Sequence, residues 1–176
     1  MRIYKKIFER VYRAAFGNIK YARLKGAKIG KGCRMFTTFI GSEPFLITIG
    51  DNVHIGPGVK LITHDGSTTL MTDGKGRRYS YQPIEIGNNV FIGVNCVIMP
   101  GVKIEDNVIV GAGSVVTKSL KARSVVAGVP ARIIANYDEL EKRMLDNLVG
   151  QQELDFNLPY KERVLKVTQF NFKPTL

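Results

Sequence analysis

The sequence has few cysteines and no apolar run long enough to cross a bilayer. Cys33 and Cys96 are the only cysteines among 176 residues, too few for a disulfide framework. We therefore predict two buried free thiols in a cytoplasmic protein. A spanning helix needs roughly 18 consecutive apolar residues, and no run reaches that length. Charges interrupt residues 1–17 at every turn, which argues against the apolar centre of a secretory signal peptide.

Acidic residues are scarce in the first 34 positions. Eleven Lys or Arg residues stand there against one acid, Glu9, whereas residues 35–176 carry 15 Lys or Arg and 14 acids. Residues 1–28 are predicted to form a basic amphipathic helical segment, because their apolar residues recur at helical spacing: Ile3, Tyr4, Ile7, Phe8, Val11, Tyr12, Ala15 and Phe16. Such a helix either caps its own protein or makes peripheral contact with an anionic membrane. No nucleic-acid-binding motif accompanies it, so no nucleic acid partner is expected.

The chain repeats with a period of six residues. From Ile86 it reads IGNNVF IGVNCV IMPGVK IEDNVI VGAGSV VTKSLK, and the same frame from Ile49 gives IGDNVH IGPGVK LITHDG. The first position is Ile, Val or Leu, the second is mostly Gly, and the fifth is mostly small or apolar. A period of six matches neither a helix of 3.6 residues per turn nor a strand of period two. It favours a solenoid of short strands with three hexads, about 18 residues, in each coil.

The repeat breaks directly after one of the two histidines in the chain. ITHDG, residues 62–66, is followed by STTLMTDGKGRRYSYQ, which keeps no period. His64 is therefore a candidate catalytic residue, because a neutral imidazole can take a proton from a hydroxyl group. His54 occupies the sixth position of an uninterrupted hexad, where we predict a turn, and either a structural role or an indirect one in support of the site.

The hexads, ITHDG and VVAGVPARII together resemble the hexapeptide-repeat acyltransferases over about Ile29 to Ile134. Within that superfamily the chain is similar to galactoside, maltose, and capsule or lipopolysaccharide O-acetyltransferases. The resemblance implies an all-β solenoid, a left-handed parallel β-helix, that assembles as a homotrimer with active sites between subunits. The predicted domains are the basic N-terminal segment (1–28), the β-helix (29–134) with a loop excursion (65–83), and a C-terminal helix and tail (135–176).

The resemblance also implies roles for particular residues. His64 would be the general base that takes the proton of a sugar hydroxyl as its oxygen attacks the thioester of acetyl-CoA, the co-substrate, without a metal. Backbone amides at Gly93 and Val94 would bind the resulting oxyanion. The expected cofactor-binding residues are Gly111, Ala112, Thr117, Lys118 and Arg132, and the expected acceptor-binding residues are Asp65, Arg77 and Tyr79. The cations among them suit the phosphates of CoA.

Two other functions stay open on the sequence. An N-acetyltransferase acting on an amino-sugar or an antibiotic would use the same base and the same cofactor groove. A non-catalytic β-helix scaffold is the second alternative, although a repeat that breaks at a histidine is unexpected in one. A hexapeptide carbonic anhydrase would need three zinc-binding histidines, and the chain has two. Sugar acetyltransferases of this kind usually carry an Asn in the coil before the catalytic turn. The corresponding MFTTFIGSEPF has none, which leaves the acceptor open.

Overall fold

The computed structural model describes residues 2–168 as short strands with helices at both ends. In chain order the elements are α1 (Arg2–Leu24), β1 (Lys28–Ile29), β2 (Arg34–Met35), a 3-10 helix (Pro44–Leu46), β3 (Ile47–Ile49), β4 (His54–Ile55), β5 (Lys60–Leu61), a second 3-10 helix (Gly66–Leu70), β6 (Thr72–Asp73), β7 (Gly76–Arg77), β8 (Ile84–Ile86), β9 (Phe91–Ile92), β10 (Val97–Ile98), β11 (Lys103–Ile104), β12 (Ile109–Val110), β13 (Val115–Val116), β14 (Ser124–Ala127), β15 (Arg132–Asn136), α2 (Tyr137–Asn147), a third 3-10 helix (Gln151–Glu153) and α3 (Tyr160–Val167). The chain divides into two compact units between Tyr137 and Asp138.

The six-residue period sets the spacing of the strands. From β10 to β13, successive strands begin six residues apart and enter three sheets in turn. Sheet I has the order β1-β3-β8-β11, sheet II has β15-β14-β12-β9-β4-β2, and sheet III has β13-β10-β5. Three neighbouring pairs, β8 with β11, β9 with β12 and β10 with β13, are parallel and 18 positions apart, as Ile86 with Ile104 and Val97 with Val115, so three hexads complete one circuit there. The other parallel pairs are offset by 16 or 20 positions, or by 37 where the loop after His64 intervenes. Two pairs, β14 with β15 and β6 with β7, are antiparallel. The closed left-handed solenoid stays a prediction.

The first and fifth hexad positions form the core. The six first-position residues from Ile86 to Val116 are all buried, and so are Val90, Cys96, Val102, Val108 and Ser114 at the fifth position. Each fully buried Ile or Val contributes roughly 1.5–3 kcal/mol relative to exposure, before the cost of ordering the chain. Cys96 and Cys33 are both free, but Cys33 is half-buried, so the prediction of two buried thiols holds for Cys96 alone.

Glycine and asparagine are needed at the turns for two different reasons. A Cβ atom on Gly93, at the second position, would lie 2.6 Å from the backbone nitrogen of Ala112 in the next coil. Asn95, at the fourth position, has φ of 58°, in the left-handed region that Asn and Gly tolerate best. The coils therefore stack closely at Gly93 because it lacks a side chain, and the chain turns at Asn95 because this residue tolerates a positive φ.

Helix α1 is broken at Gly17, whose φ of 81° and ψ of 171° are not helical. After the break, Ala22 is fully buried and Ile19 packs against the core of the sheets. The Asn18 side chain donates a hydrogen bond from Nδ2 to the carbonyl oxygen of Met35, at 3.1 Å. These contacts support the capping alternative for residues 18–24. Before Gly17, large side chains are exposed to solvent, namely those of Tyr4, Ile7, Phe8, Val11 and Phe16.

The second unit is mostly helical. It contains most of α2, the third 3-10 helix and α3, which lies in the segment that the sequence predicted as a tail. The Arg163 guanidinium carbon lies 4.6 Å from the Phe156 ring centroid and 5.6 Å from that of Tyr160. These cation–π contacts join α3 to the turn before it. No helix in the described range 2–168 is long and apolar enough to cross a membrane.

Candidate active site

His64 stands where the chain leaves sheet III. Thr63 is fully buried beside it, whereas the His64 imidazole is 40% exposed. The two ends of the excursion are joined by backbone pairing. His64 bridges Tyr81 in an antiparallel sense, and the Gln82 amide donates to the Thr63 carbonyl at 2.9 Å. The imidazole is thereby fixed at the base of a closed loop, with one face towards solvent.

A carboxylate that the sequence analysis did not identify orients this histidine. Glu43 Oε2 lies 2.9 Å from His64 Nδ1 and accepts a hydrogen bond of 2.6 Å from Thr63 Oγ1. Burial raises the pKa of Glu43, but the hydrogen bonds from Thr63 and His64 outweigh it and hold that pKa below its usual value. An ionised carboxylate can only accept hydrogen bonds, so neutral His64 carries its proton on Nδ1. The lone pair on Nε2 is then free to accept a proton.

Glu43 was missed because the expected partner in that region was an Asn. It lies just before the 3-10 helix Pro44–Leu46, one coil earlier than His64 and 21 residues before it. The sequence offered one indication of Glu43, which is the only acidic residue between Glu9 and Asp51.

Asp65 shapes the start of the loop. Its carboxylate accepts a hydrogen bond from the Ser67 amide at 2.9 Å and caps the 3-10 helix Gly66–Leu70. The hydrogen bonds from Ser67 lower the pKa of Asp65. Beyond this helix, β6 and β7 form a hairpin in which Arg78 pairs with Asp73. The loop therefore has internal structure of its own before it rejoins sheet I at Ile84.

The three predicted acceptor residues line one small cavity together with His64. This cavity of about 100 Å³ is bordered by Asp65, Arg77 and Tyr79, and also by Glu43 and Tyr81. The Arg77 guanidinium carbon lies 4.8 Å from the centroid of the Tyr79 ring, which is nearly parallel to the Tyr81 ring at 6.2 Å. The Tyr81 ring is in turn 6.2 Å from the imidazole of His64. The cavity thus combines aromatic faces and one cation beside the candidate base.

The predicted cofactor residues fall on two different edges of sheet III. Because β5, β10 and β13 are parallel, the turns before them share one edge, which we call the entry edge (residues 56–58, 93–95 and 111–113). The segments after them share the other, the exit edge (62–64, 99–101 and 117–119). Gly93, Val94, Gly111 and Ala112 lie on the entry edge, whereas His64, Thr117 and Lys118 lie on the exit edge.

Arg132 belongs with the entry edge. The amide of the preceding Ala131 donates to the carbonyl of Val115, the first residue of β13, at 2.9 Å. The Arg132 guanidinium is exposed and donates a hydrogen bond to the Ala131 carbonyl at 3.0 Å. The entry edge therefore presents small residues with a cation at its end.

One of the two proposed oxyanion donors is already engaged. The Gly93 amide donates to the Val110 carbonyl at 2.8 Å, within the ladder of sheet II. Val94 is 44% exposed and follows immediately in the turn. Within the predicted pair, the Val94 amide is therefore the remaining candidate for the oxyanion role, which stays a prediction.

His54 lies in β4 and not in a turn as predicted. Its imidazole lies between the rings of Phe36 and Phe91, with centroid distances of 5.3 and 5.2 Å on the outer face of sheet II. A larger groove of about 520 Å³ crosses sheet I near Glu85 and Asp106, and contains none of the predicted site residues. Among residues 2–168, no group of three or more His, Cys, Asp or Glu could hold a metal ion.

Comparison with known proteins places the chain in a family. A family model described as the hexapeptide repeat of succinyl-transferase matches residues 83–118. Protein CapG of Staphylococcus aureus is 39% identical over 156 residues, which cover 87% of this chain and 90% of CapG. Galactoside O-acetyltransferase of Escherichia coli K12 is 45% identical over 100 residues, covering 57% of this chain and 49% of that protein. A solved galactoside acetyltransferase in complex with coenzyme A is 33% identical with a TM-score of 0.58, covering 70% of this chain and 71% of that one. The chain belongs to the hexapeptide-repeat acyltransferases, as its repeats and the His64 loop predicted.

Proposed function

We propose that this protein transfers an acetyl group from acetyl-CoA to a hydroxyl of a sugar or surface polysaccharide. The observation that carries the proposal is the pairing of His64 Nδ1 with Glu43, which in the neutral imidazole places the proton on Nδ1 and makes Nε2 the acceptor beside the loop cavity. The similar galactoside O-acetyltransferase, and the related structure with coenzyme A, support this donor and this class of acceptor.

The transfer needs no protein nucleophile. His64 Nε2 takes the proton of the acceptor hydroxyl while its oxygen forms a bond to the thioester carbonyl carbon. The carbonyl oxygen becomes an oxyanion, which a hydrogen bond from the Val94 amide stabilises. When the intermediate collapses, the carbon–sulfur bond breaks and His64 returns the proton to the CoA thiolate. Glu43 stays ionised and stabilises the imidazolium formed between these steps.

The division of the site between two edges supports a homotrimer of left-handed β-helices. The strands of sheet III separate the entry and exit edges by about 10 Å, at roughly 3.3 Å per residue. One carbonyl group cannot contact both His64 and Val94 of the same chain across that distance. In our proposal the exit edge of one subunit faces the entry edge of the next, and acetyl-CoA lies between them.

Co-expression of two inactive variants tests this arrangement. His64→Ala damages the exit edge, and Ala112→Phe fills the entry edge at an exposed position that tolerates a larger side chain. Every mixed trimer contains one site built from two intact edges, so random 1:1 mixing should restore about one quarter of the wild-type turnover. The sedimentation mass should be about three times 19.6 kDa.

Each variant alone should be inactive in the same assay, and both should sediment as the wild type does. A monomeric mass, or co-expressed variants with no more activity than either alone, would contradict a site shared between subunits.

Arg132→Glu is expected to raise the KM for acetyl-CoA by about tenfold while leaving the acceptor KM nearly unchanged, because repulsion replaces attraction beside a phosphate. Steady-state kinetics with each substrate varied in turn measures the two constants. Lys28→Glu is a matched control, because it reverses an exposed charge on the first strand of sheet I. A rise in the acceptor KM alone would contradict the placement of the CoA phosphates near Arg132.

The acceptor class is tested by following release of the CoA thiol with a panel of glycans, aminosugars and antibiotics. Turnover with hydroxyl acceptors supports the proposal. Turnover confined to amines would favour an N-acetyltransferase, since the same base and groove serve either nucleophile. An absence of thiol release with every acceptor would favour the scaffold alternative.

A further inference from the structure

The part of α1 before Gly17 presents an apolar stripe to solvent. Tyr4, Ile7, Phe8, Val11 and Ala15 follow the spacing i, i+3, i+4, i+7 and i+11, which places them on one face of a helix. All five are exposed, and the four large side chains are between 56% and 79% exposed. We call these five residues the outer stripe.

The opposite face of the same helix is polar and points inward. Glu9 Oε1 pairs with Lys25 Nζ at 2.9 Å, and Glu9 Oε2 accepts a hydrogen bond of 3.2 Å from the Tyr21 hydroxyl. The Arg13 guanidinium carbon lies 5.8 Å from the Tyr21 ring centroid. A helix that only covers its own protein turns its apolar face inward, and here that orientation is reversed.

We propose that the outer stripe binds the surface of an anionic membrane. Eleven of the first 34 residues are Lys or Arg against a single acid, whereas the rest of the chain is nearly neutral. A basic helix with one apolar face lies in the plane of the headgroups, where the cations meet anionic lipid and the apolar side chains enter the acyl boundary. At about 1.5 Å per residue, residues 2–16 form a helix of roughly 22 Å, suited to lying on the membrane.

Charge argues against a second copy of this chain as the occupant. Each copy would bring the five cations and one acid of residues 2–16 to the contact, and like charges repel at short range. An anionic bilayer supplies the opposite charge together with an apolar layer. Residues 18–24 stay packed on the sheets in this arrangement, so the break at Gly17 separates the membrane-binding part of α1 from the capping part.

Co-sedimentation of the full chain with lipid vesicles tests the proposal. The vesicles contain phosphatidylcholine alone, or phosphatidylcholine with about one-third phosphatidylserine. Binding is expected to the anionic vesicles at about 50 mM salt, and should weaken at least tenfold at about 500 mM, where the Debye length is less than half as long. Binding to the neutral vesicles should be at least tenfold weaker.

Two matched double variants separate the stripe from general exposure of apolar side chains. Ile7→Ser with Val11→Ser should weaken binding to anionic vesicles at least tenfold, without a change in thermal unfolding. Leu145→Ser with Leu148→Ser removes two exposed apolar side chains elsewhere and should bind as the wild type does. His64→Ala should also bind normally, so lipid binding is measured independently of acetyl transfer.

Equal binding to neutral and anionic vesicles, no binding to either, or full binding by the stripe variant would overturn the proposal. A fall in the sedimentation mass of the stripe variant, without any lipid binding by the wild type, would instead identify the outer stripe as a contact between copies of the chain.

Discussion

His64→Ala is expected to lower kcat by about 10²–10⁴-fold, the usual contribution of a general base. The imidazole is 40% exposed and contributes to no described core cluster, so the variant should keep the fold and the affinity for CoA. The measurements are initial rates of thiol release, together with CoA binding by calorimetry and a thermal unfolding curve.

His54→Ala provides the control, because it removes the other imidazole of the chain from the outer face of sheet II. Its kcat should stay within a few-fold of the wild-type value. Wild-type turnover by His64→Ala would remove His64 from the mechanism, and an equal loss in both variants would indicate a structural effect.

Glu43→Gln is expected to lower kcat by roughly 10- to 100-fold. The amide cannot stabilise an imidazolium by its charge, and its NH₂ group can donate to Nδ1 and favour the wrong tautomer. The KM for acetyl-CoA should change little, because Glu43 contacts His64 and Thr63 and lies away from the entry edge. Thr63→Val keeps the carboxylate but removes its second hydrogen bond, so a smaller loss of kcat is expected.

Through Glu43, the free energy of unfolding is also expected to depend on pH. The folded-state pKa of Glu43 lies below its unfolded value, so its contribution is present above the unfolded pKa of about 4.3 and is lost as the pH falls through the folded pKa. Urea unfolding near neutral pH should therefore show the wild type more stable than Glu43→Gln by about 1.5–3 kcal/mol, since hydrogen bonds to charged groups contribute that much. The difference should shrink in acid. An unchanged difference there, or unchanged kcat, would contradict the role of Glu43.

The regular parts of the fold were accessible from the sequence because the repeat is local. Six-residue spacing is confirmed by the strands from β10 to β13, and burial of the first and fifth positions follows the apolar pattern. The tight turns between short strands accept few residue types. Gly93 is required where the next coil leaves no room for a side chain, and Asn95 is favoured where φ is positive, so both features are visible in the sequence. His54 was predicted to lie in a turn, but its strand β4 begins at the sixth position of one hexad and ends at the first position of the next. The six-residue spacing does not by itself show which positions of the hexad form the strand.

The division of the predicted site between two edges depended on strand direction and pairing. Residues 111–112 stand close to 117–118 in sequence, yet sheet III separates them, because the chain crosses it between Gly113 and Thr117. The engagement of the Gly93 amide is likewise a property of pairing between coils. The residue pattern within one hexad does not predict hydrogen bonds between different coils.

The sequence by itself determined the repeat, the family and the histidine at its break, because each is written in neighbouring residues. The tertiary structure decided which side chain orients that histidine and which way the N-terminal helix faces. Glu43 meets His64 across 21 residues through the stacking of one coil on the next. The outer stripe faces solvent because Gly17 turns the chain back and Glu9 pairs with Lys25. Both outcomes are set by long-range contacts, whose partners can be identified only after the chain has folded.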